Sequence, residues 1–438
     1  MLTPNAWIGV ACFAGMLALL SIGIPIYIAM LLPSVVGLWL IGGYPFVMGQ
    51  AAIAPYSITS DYTFAVVPMF LLMGILAGES GIAEGAYLSM KNWVSRMRGG
   101  LLMATVISNA IFGAVSGVTL ASNAIFAKIA TPELNKYGYN RSISTGCIAA
   151  ASVLSVLIPP SIPIVIYSIL TDISIGKALL AGIIPGIILT VALCLTVWLI
   201  GIIKPGQIPA ADLQISWRER LSSLKLLGPI LVIFLLIMGG MFAGFFSSTV
   251  AGAAGAFCIL LYSLVRRLGK ARILGSFREA VLTSASVFII LIAGFIFSRL
   301  MALSGLATSL VVWTKALHLP PIIILSIIII LFIILGGPLE NITILIITLP
   351  IVFPLITSLG FNPYAFCIAN VLLGQIASLS PPVGMSVFVT AGAANVPPGE
   401  VFKGSWPFLV VEVIMVWVIM LVPALSTWLP NMVFKSNL

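Results

Sequence analysis

The side chains of this sequence that could bind a ligand are small and uncharged, and they cluster where long apolar segments are interrupted by glycine or proline. They are Ser116, Thr119, Ser122, Asn123, Ser161, Asn341, Ser378, Ser380 and Ser386. Hydroxyl and amide oxygens, together with backbone carbonyls freed at an interruption, are ligands for a hard cation such as Na⁺. The competing interpretation of each residue is an ordinary hydrogen bond between two membrane helices.

Residues that could perform catalysis are scarce. The only histidine is His318, and the five cysteines form no CxxC or Cys/His pattern. Glu340 follows a glycine-rich interruption, where it could also cap the next helix, and Glu412 lies in the last apolar segment, where it could contact another subunit. Because no nucleophile–base pair or metal-ligand set falls in these segments, we predict that the protein is not an enzyme and needs no cofactor.

The composition places the chain in a membrane. Of its 438 residues, 61% are hydrophobic and only 7% are charged, whereas about a quarter of the residues of a soluble domain are charged. The net charge of +9 is therefore better explained by basic cytoplasmic loops than by binding to nucleic acid. The N-terminus lacks a basic region before its first apolar stretch and is interpreted as the first span.

Long apolar segments must position the candidate ligands. Ten of them are long enough to cross a bilayer, which takes about 17–25 residues. They occupy residues 6–23, 25–43, 62–78, 141–170, 177–203, 225–243, 246–265, 278–299, 361–390 and 405–428.

Two further apolar regions, 99–131 and 320–353, are divided by the sequences "GAVSGVT" and "GGPLEN". Each half is about 12–16 residues long, which is too short to cross the hydrocarbon core. We therefore predict two re-entrant helical hairpins; the alternative is one ordinary helix with a glycine kink in each region.

Two long apolar segments contain adjacent prolines, in "LIPPSIPIVIY" (157–167) and "LSPPVGMSVFV" (379–389). A Pro-Pro pair removes two backbone donors and disrupts the preceding helical turn. Irregular backbone at membrane depth is tolerated only where it is buried in protein or lines a polar cavity. A broken helix offers free carbonyls to a cation and a new helix N-terminus to an anion. We therefore predict binding sites at the breaks 159–160 and 381–382.

The two Pro-Pro pairs belong to an internal duplication with an offset of 222 residues. Residues that determine backbone geometry coincide at this offset: Pro132 and Pro354, Gly138 and Gly360, Asn140 and Asn362, Gly182 and Gly404, Pro185 and Pro407. Five spans separate the predicted hairpins, and an odd number means that they enter from opposite faces. Inverted repeats with interrupted helices are typical of secondary transporters.

This repeat divides the chain into four regions. Residues 1–80 are N-terminal scaffold helices, and residues 81–203 form repeat 1, with an arm helix, hairpin 1, the first broken helix and a following helix. Residues 204–303 contain the inter-repeat loop and further scaffold helices. Residues 304–438 form repeat 2, with hairpin 2, the second broken helix and the last helix.

The distribution of basic residues sets the orientation. With both termini outside, only Lys177, Arg299, Lys315 and Lys435 of the twenty Lys and Arg residues lie outside, as the positive-inside rule requires. The sequence "RERLSSLK" (218–225) is then predicted to be a cytoplasmic loop between the two halves. Residues 81–98, with charges and Trp93 among apolar residues, suit an interfacial helix.

Four stretches carry a family resemblance: "GAVSGVTLASNAIFAKIATPELNKYGYNR", "LIPPSIPIVIYSILTDISIGKALLAGIIPG", "GGPLENITILIITLPIVFPLITSLGFNP" and "SLSPPVGMSVFV". Together they resemble the large membrane subunit (DctM-like) of tripartite ATP-independent periplasmic (TRAP) transporters over nearly the whole chain. The resemblance implies a secondary transporter of the bacterial inner membrane, driven by Na⁺ and working as an elevator. It also implies a small four-helix membrane subunit (DctQ-like), a periplasmic binding protein (DctP-like) and an organic-acid substrate.

The same resemblance implies two sodium sites, each between a hairpin tip and a broken helix. The first would involve Ser116, Gly117, Pro159, Pro160 and Ser161, and the second Gly336, Gly337, Ser380, Pro381, Pro382 and Val383. Asn123, Glu340 and Asn341 are candidates for contacts with the substrate. Val118 and Glu340 depart from the serine and aspartate usual in the family, which puts the side-chain ligands more in question than the backbone ligands.

Two alternatives to this function stay open at this point. A single-component dicarboxylate/sodium symporter of a related hairpin fold would transport without a binding protein. A passive channel would take up its solute without a Na⁺ gradient.

Overall fold

The computed structural model describes residues 4–210, 214–336, 339–381 and 383–434, and within them the chain is almost entirely helical. Short 3₁₀ and π turns join some of the helices. In chain order the helices are α1 (Pro4–Ser21), α2 (Ile26–Ser60), α3 (Val66–Glu79), α4 (Ile82–Val94), α5 (Gly100–Ser116), α6 (Thr119–Lys136), α7 (Arg141–Ala151), α8 (Leu154–Leu157), α9 (Ile162–Thr171), α10 (Ile175–Ala181), α11 (Ile183–Ile203), α12 (Trp217–Ser223), α13 (Gly228–Phe234), α14 (Gly240–Phe242), α15 (Ser248–Val265), α16 (Lys270–Ser304), α17 (Leu306–Ala316), α18 (Pro321–Gly336), α19 (Asn341–Ser358), α20 (Pro363–Leu379), α21 (Met385–Ala394), α22 (Pro398–Leu421) and α23 (Ala424–Val433).

Most of the predicted membrane spans are present as long apolar helices. In the described parts of the chain, nine helical segments are long and apolar enough to cross a membrane, and the bent pair Arg141–Leu157 and Ile162–Thr171 makes a tenth. The predicted span 361–390 corresponds to α20 and α21. The predicted class, an all-α polytopic membrane protein, is therefore confirmed.

Two sequence predictions differ from the structure at the ends of helices. Helix α2 continues to Ser60 beyond the predicted end at residue 43, with a kink at Gly43. Pro45 then lies in the first turn after the kink, where its missing N–H costs little. The predicted loop over residues 218–225 contains a short helix, because Ser216 and Glu219 form a capping box that starts α12.

Hairpin 1 consists of α5 and α6, joined at Gly117 and Val118. The two arms pack side by side: the rings of Phe112 and Phe126 meet edge to face with centroids 5.8 Å apart, and the Ser122 hydroxyl donates to Asn109 Oδ1 at 2.7 Å. The arms have 17 and 18 residues and exceed the predicted length, because α6 continues through Pro132 to Lys136.

Hairpin 2 consists of α18 and α19, which contact one another. Its second arm has 18 residues and contains Pro350 and Pro354, so it too is longer than the sequence suggested. By length α19 alone could cross a membrane. The two hairpins are thus present as folded-back helix pairs, and their entry from opposite faces of the bilayer stays a prediction.

The two halves repeat the same local devices. Asn140 and Asn362 cap α7 and α20, each accepting a bond from an amide of the first turn. Each helix then leads to a break: α8 ends at Leu157, α9 begins at Ile162, and the axis bends by 48° between them. In the second half the break separates α20 from α21. These matches agree with the duplication, although the exact boundaries of the four regions stay a prediction.

The interior and the periphery of the molecule have different helices. In α5 and α20 nearly every residue is buried, which places one arm of hairpin 1 and the second broken helix in the core. Helices α2, α11 and α16 instead carry large apolar side chains on their outer faces, such as Trp39, Leu199 and Val281. Exposed apolar surface of this extent is what contact with lipid requires.

Candidate functional site

One cavity of about 110 Å³ lies where the two hairpin tips and the two breaks meet. Hairpin 1 lines it with residues 117–120 and hairpin 2 with residues 340–342. The first break contributes Ile162 and Pro163, and the second contributes Met385 and Ser386. Segments more than 200 residues apart in the sequence thus form a single site.

The first tip is in direct contact with the first break. Gly117 ends α5 with φ +67°, and a Cβ atom built on it would lie 2.6 Å from the carbonyl oxygen of Pro160. Pro159 and Pro160 are buried in the non-helical stretch between α8 and α9. Ser161 caps α9 by accepting a bond from Ile164 N at 3.4 Å. The structure therefore brings together the predicted residues of the first sodium site.

Several oxygen atoms lie around the tip of hairpin 1. The Ser116 hydroxyl is fully buried and has no hydrogen-bond partner in the described part of the chain. The close approach of Gly113 to the Leu154 carbonyl and the bond from the Ser155 hydroxyl to the Val118 carbonyl at 3.4 Å hold the tip against α8. The last carbonyls of α5 also lack partners within their own helix and carry a partial negative charge.

The second predicted sodium site is only partly described. Gly336 is the last residue of α18, and Gly337 and Pro382 lie outside the described residues. Ser380 caps the end of α20, and its hydroxyl donates to the Ile376 carbonyl at 2.7 Å. Pro381 is exposed and Val383 is half-buried. Because two of its six residues fall outside the described part of the chain, the second site stays a prediction.

Two of the three predicted substrate contacts line the cavity. Glu340 is the N-cap residue of α19 and makes no capping bond with its side chain, so its carboxylate is not used as the cap considered above. Asn341 donates to the Val371 carbonyl at 3.3 Å, and its Oδ1 lacks a partner in the described residues. Asn123 is fully buried in α6 with both amide atoms unpartnered there, but it is not among the described residues that line the cavity.

Gln375 also lines the cavity, and the sequence reasoning missed it. Its amide group donates to Ala149 O at 3.3 Å, Ser152 Oγ at 3.2 Å and Ser386 Oγ at 3.3 Å. Its oxygen accepts from the Ser378 hydroxyl at 3.2 Å. A lone glutamine in an apolar helix, six residues before the second Pro-Pro pair, was the signal available in the sequence.

The wall opposite the tips was also missed. Thr283, Ser286, Val287 and Ile290 of α16 line the cavity, and their spacing puts them on one face of the helix. Leu71 of α3 lines it as well. The cavity is therefore bounded by α3 and α16 in addition to the hairpins and the broken helices.

Glu412 has no place in this site. It is fully buried in α22, and neither carboxylate oxygen has a hydrogen-bond partner in the described residues. The suggestion that it contacts another subunit is wrong, because the chain itself covers the side chain completely.

Proteins of known sequence and structure resemble this chain. The large permease protein DctM of a C4-dicarboxylate TRAP transporter from Pseudomonas aeruginosa is 30% identical over 87% of this chain and 89% of its own length. The large permease protein SiaM of a sialic acid TRAP transporter from Vibrio cholerae is 28% identical over 85% of this chain and 87% of its own length.

The crystal structure of the YdaH transporter from Alcanivorax borkumensis has a similar fold, with a TM-score of 0.61 and 14% identity over 95% of this chain and 99% of that one. The family profile described as "Tripartite ATP-independent periplasmic transporter, DctM component" matches residues 13–425. The chain therefore belongs to the DctM component family, the large membrane subunits of TRAP transporters, and it is a transport protein rather than an enzyme.

Proposed function

We propose that this subunit imports an organic acid together with Na⁺, after a periplasmic binding protein has delivered the acid. The observation that carries the proposal is the single cavity at which both hairpin tips and both breaks converge.

Four helices begin at the cavity. Their first residues are Thr119 in α6, Ile162 in α9, Asn341 in α19 and Met385 in α21, and all four line it. The N-terminus of a helix presents unpaired N–H groups and a partial positive charge, both of which favour an anion. No Lys, Arg or His is among the described lining residues, so helix termini and a bound cation would supply the attraction for a carboxylate.

The oxygens around Ser116 and the Pro160 carbonyl are suited to Na⁺. Hard monovalent cations prefer several oxygen ligands, which include backbone carbonyls. A cation at this position would give the unpaired hydroxyl a partner and would offset the partial negative charge at the carbonyl end of α5. It would also lie next to the anion in the cavity. Binding of each would therefore favour binding of the other, which is the coupling that a symporter needs. We assign the second site, which the family resemblance implied, to Gly336, Gly337, Ser380, Pro381, Pro382 and Val383.

The position of the cavity supports an elevator mechanism. Both hairpins and both broken helices line it, and so do α3 and α16, which we infer to be the scaffold. If the first group moves as a body against the second, the site travels with it and opens to the other side of the membrane. Polar residues on the α16 face, Thr283 and Ser286, would then slide past the substrate rather than hold it.

Membership of a tripartite family supports the remaining parts of the proposal. We assign the chain to the bacterial inner membrane with both termini in the periplasm. Its partners would be a small four-helix subunit of the DctQ type and a binding protein of the DctP type. The names of the Pseudomonas and Vibrio relatives favour a carboxylate substrate, either a C4-dicarboxylate or a larger sugar acid.

The test is uptake into proteoliposomes that contain this chain, its small subunit and the binding protein. Each inward Na⁺ contributes about 2.3 kcal/mol per 100 mV of membrane potential, and a tenfold gradient adds about 1.4 kcal/mol. We expect labelled succinate or sialic acid to accumulate with external Na⁺ and not when K⁺ or choline replaces it. Full accumulation in K⁺, with or without a proton gradient, would refute Na⁺ coupling.

A second arm of the experiment omits the binding protein. Uptake should then stop, although the Na⁺ gradient is intact. Undiminished uptake under these conditions would instead identify a single-component symporter. Uptake that ignores the Na⁺ gradient in every arm would indicate a channel.

A further inference from the structure

A second cavity, of about 360 Å³, lies at the end of the molecule where α7 begins. It is bounded by three segments: the N-terminus of α7, the turn that follows α11 and the first turns of α22. The backbone N–H of Asn140 donates to the backbone carbonyl of Gln207 at 2.8 Å and joins the first two segments. Gly404 packs on the Ser142 carbonyl and joins the third. This cavity shares no lining residue with the transport site.

The cavity carries positive charge that nothing in the described residues neutralises. Lys204 and Lys403 both line it, and neither forms an ion pair within the described parts of the chain. The nearby carboxylate of Glu400 lies 3.9 Å from the guanidinium of Arg141 and is paired with it. The basic charge of the cavity is therefore available to an anion.

Uncharged donors complete the polar side of the cavity. The Asn140 side chain uses its oxygen to cap α7, accepting from Ile143 N at 3.1 Å, so its NH₂ group remains a donor. Gln207 also lines the cavity. The first amides of α7 have no carbonyl partner within the helix, which adds to the preference for an anion.

The other side of the cavity is apolar and continues onto the outer surface. Ile200, Ile203 and Pro407 line it, and Ile203 is 72% exposed. Trp406, beside Pro407, is 55% exposed. A tryptophan and lysines next to exposed isoleucines are typical of the level where a membrane meets water. A soluble anion would use only the polar half of such a cavity.

We propose that this cavity binds the headgroup of an anionic phospholipid, with its phosphate between Lys204 and Lys403 and its acyl chains along the apolar surfaces of α11 and α22. The ligand is a phosphodiester with a net negative charge. Basic pockets between membrane helices bind such headgroups by the same combination of charge and apolar contact. The bound lipid would hold α7, α11 and α22 together at this end of the molecule.

The experiment measures lipid binding by the purified full-length chain, with native mass spectrometry in detergent during titration with phosphatidylglycerol. The variant is Lys204→Gln with Lys403→Gln. Each lysine near an anionic lipid strengthens binding about fivefold, so loss of both should weaken binding roughly thirtyfold. The conservative pair Lys204→Arg and Lys403→Arg should bind as the wild type does.

A matched control replaces Lys225 and Lys270 by glutamine, since both are exposed and lie on the same predicted side of the membrane. This control should bind phosphatidylglycerol normally. Phosphatidylcholine, which carries no net charge, should bind weakly to all variants. Unchanged binding in the Lys204 and Lys403 variant would overturn the site, and competition by millimolar inorganic phosphate with no preference for the lipid would overturn the assignment to a phospholipid.

Discussion

Gly117 offers the sharpest test of the first cation site, because alanine there changes one contact by a known amount. An added methyl carbon would lie 2.6 Å from the Pro160 carbonyl oxygen, whereas ordinary contacts begin near about 3.5 Å. The tip and the break must therefore separate by roughly 0.5–1 Å. A binding site needs its groups held to within about 0.5 Å, so this displacement is enough to withdraw the carbonyl from a cation.

Loss of one oxygen partner costs about 1–3 kcal/mol, which corresponds to a roughly five- to 150-fold weaker affinity for Na⁺. The assay is the thermal unfolding of the purified chain while Na⁺ replaces choline at constant ionic strength. Because bound ligand stabilises the folded state, the half-saturating Na⁺ concentration can be read without knowing the substrate. We expect this half-saturating concentration to rise roughly five- to 150-fold in Gly117→Ala.

Gly138→Ala is the matched control. Gly138 has φ +72°, and nothing lies within 4 Å of the Cβ position. Both substitutions carry the same backbone penalty of about 1–2 kcal/mol for a left-handed residue, but only one pushes a methyl group into the site. Gly138→Ala should therefore lower the stability of the chain and leave the Na⁺ dependence unchanged. Equal Na⁺ affinity in both variants would refute the placement of a cation between Gly117 and Pro160.

Three other predictions follow from the same site and topology. Pro160→Leu should express normally yet reduce Na⁺-driven uptake more than about tenfold, because a continuous helix would pair the carbonyl that binds the cation. Uptake at the wild-type rate would mean that the break is only a packing kink. Gln375→Leu removes a group with four buried hydrogen bonds, so it should lower the thermal stability and raise the substrate KM, and a variant that changes neither would contradict the assignment of Gln375 to the site. A reporter that is active only in the periplasm should give a signal when fused after Leu438, and a reporter signal confined to the cytoplasm would reverse the predicted topology.

The sequence alone determined the features that depend on the local backbone. Proline lacks an N–H wherever it occurs, so the break at 159–160 followed from the residues themselves. The repeat also aligned Asn140 with Asn362, and the structure shows that both cap helices, because an asparagine before a helix bonds to the first-turn amides whatever surrounds it. The apolar content fixed the membrane class for a similar reason, since lipid tolerates few charges in any arrangement.

The ends of helices depend on neighbouring residues more than the helices themselves do. Hairpin 1 was predicted to end at residue 131, but α6 continues through Pro132 to Lys136. The predicted loop at residues 218–225 contains the short helix α12, which starts at a capping box.

Only the tertiary structure decided which polar groups share a site. Gln375 is bonded to Ala149 and Ser152, more than 220 residues away, and at the 222-residue offset its counterpart in the first repeat is Val153. Ser378 likewise corresponds to Val156. The repeat therefore predicted the shared backbone geometry but not these side chains. A break in a helix exposes backbone groups to any ligand, whereas a polar side chain contributes to a site only through the groups that face it.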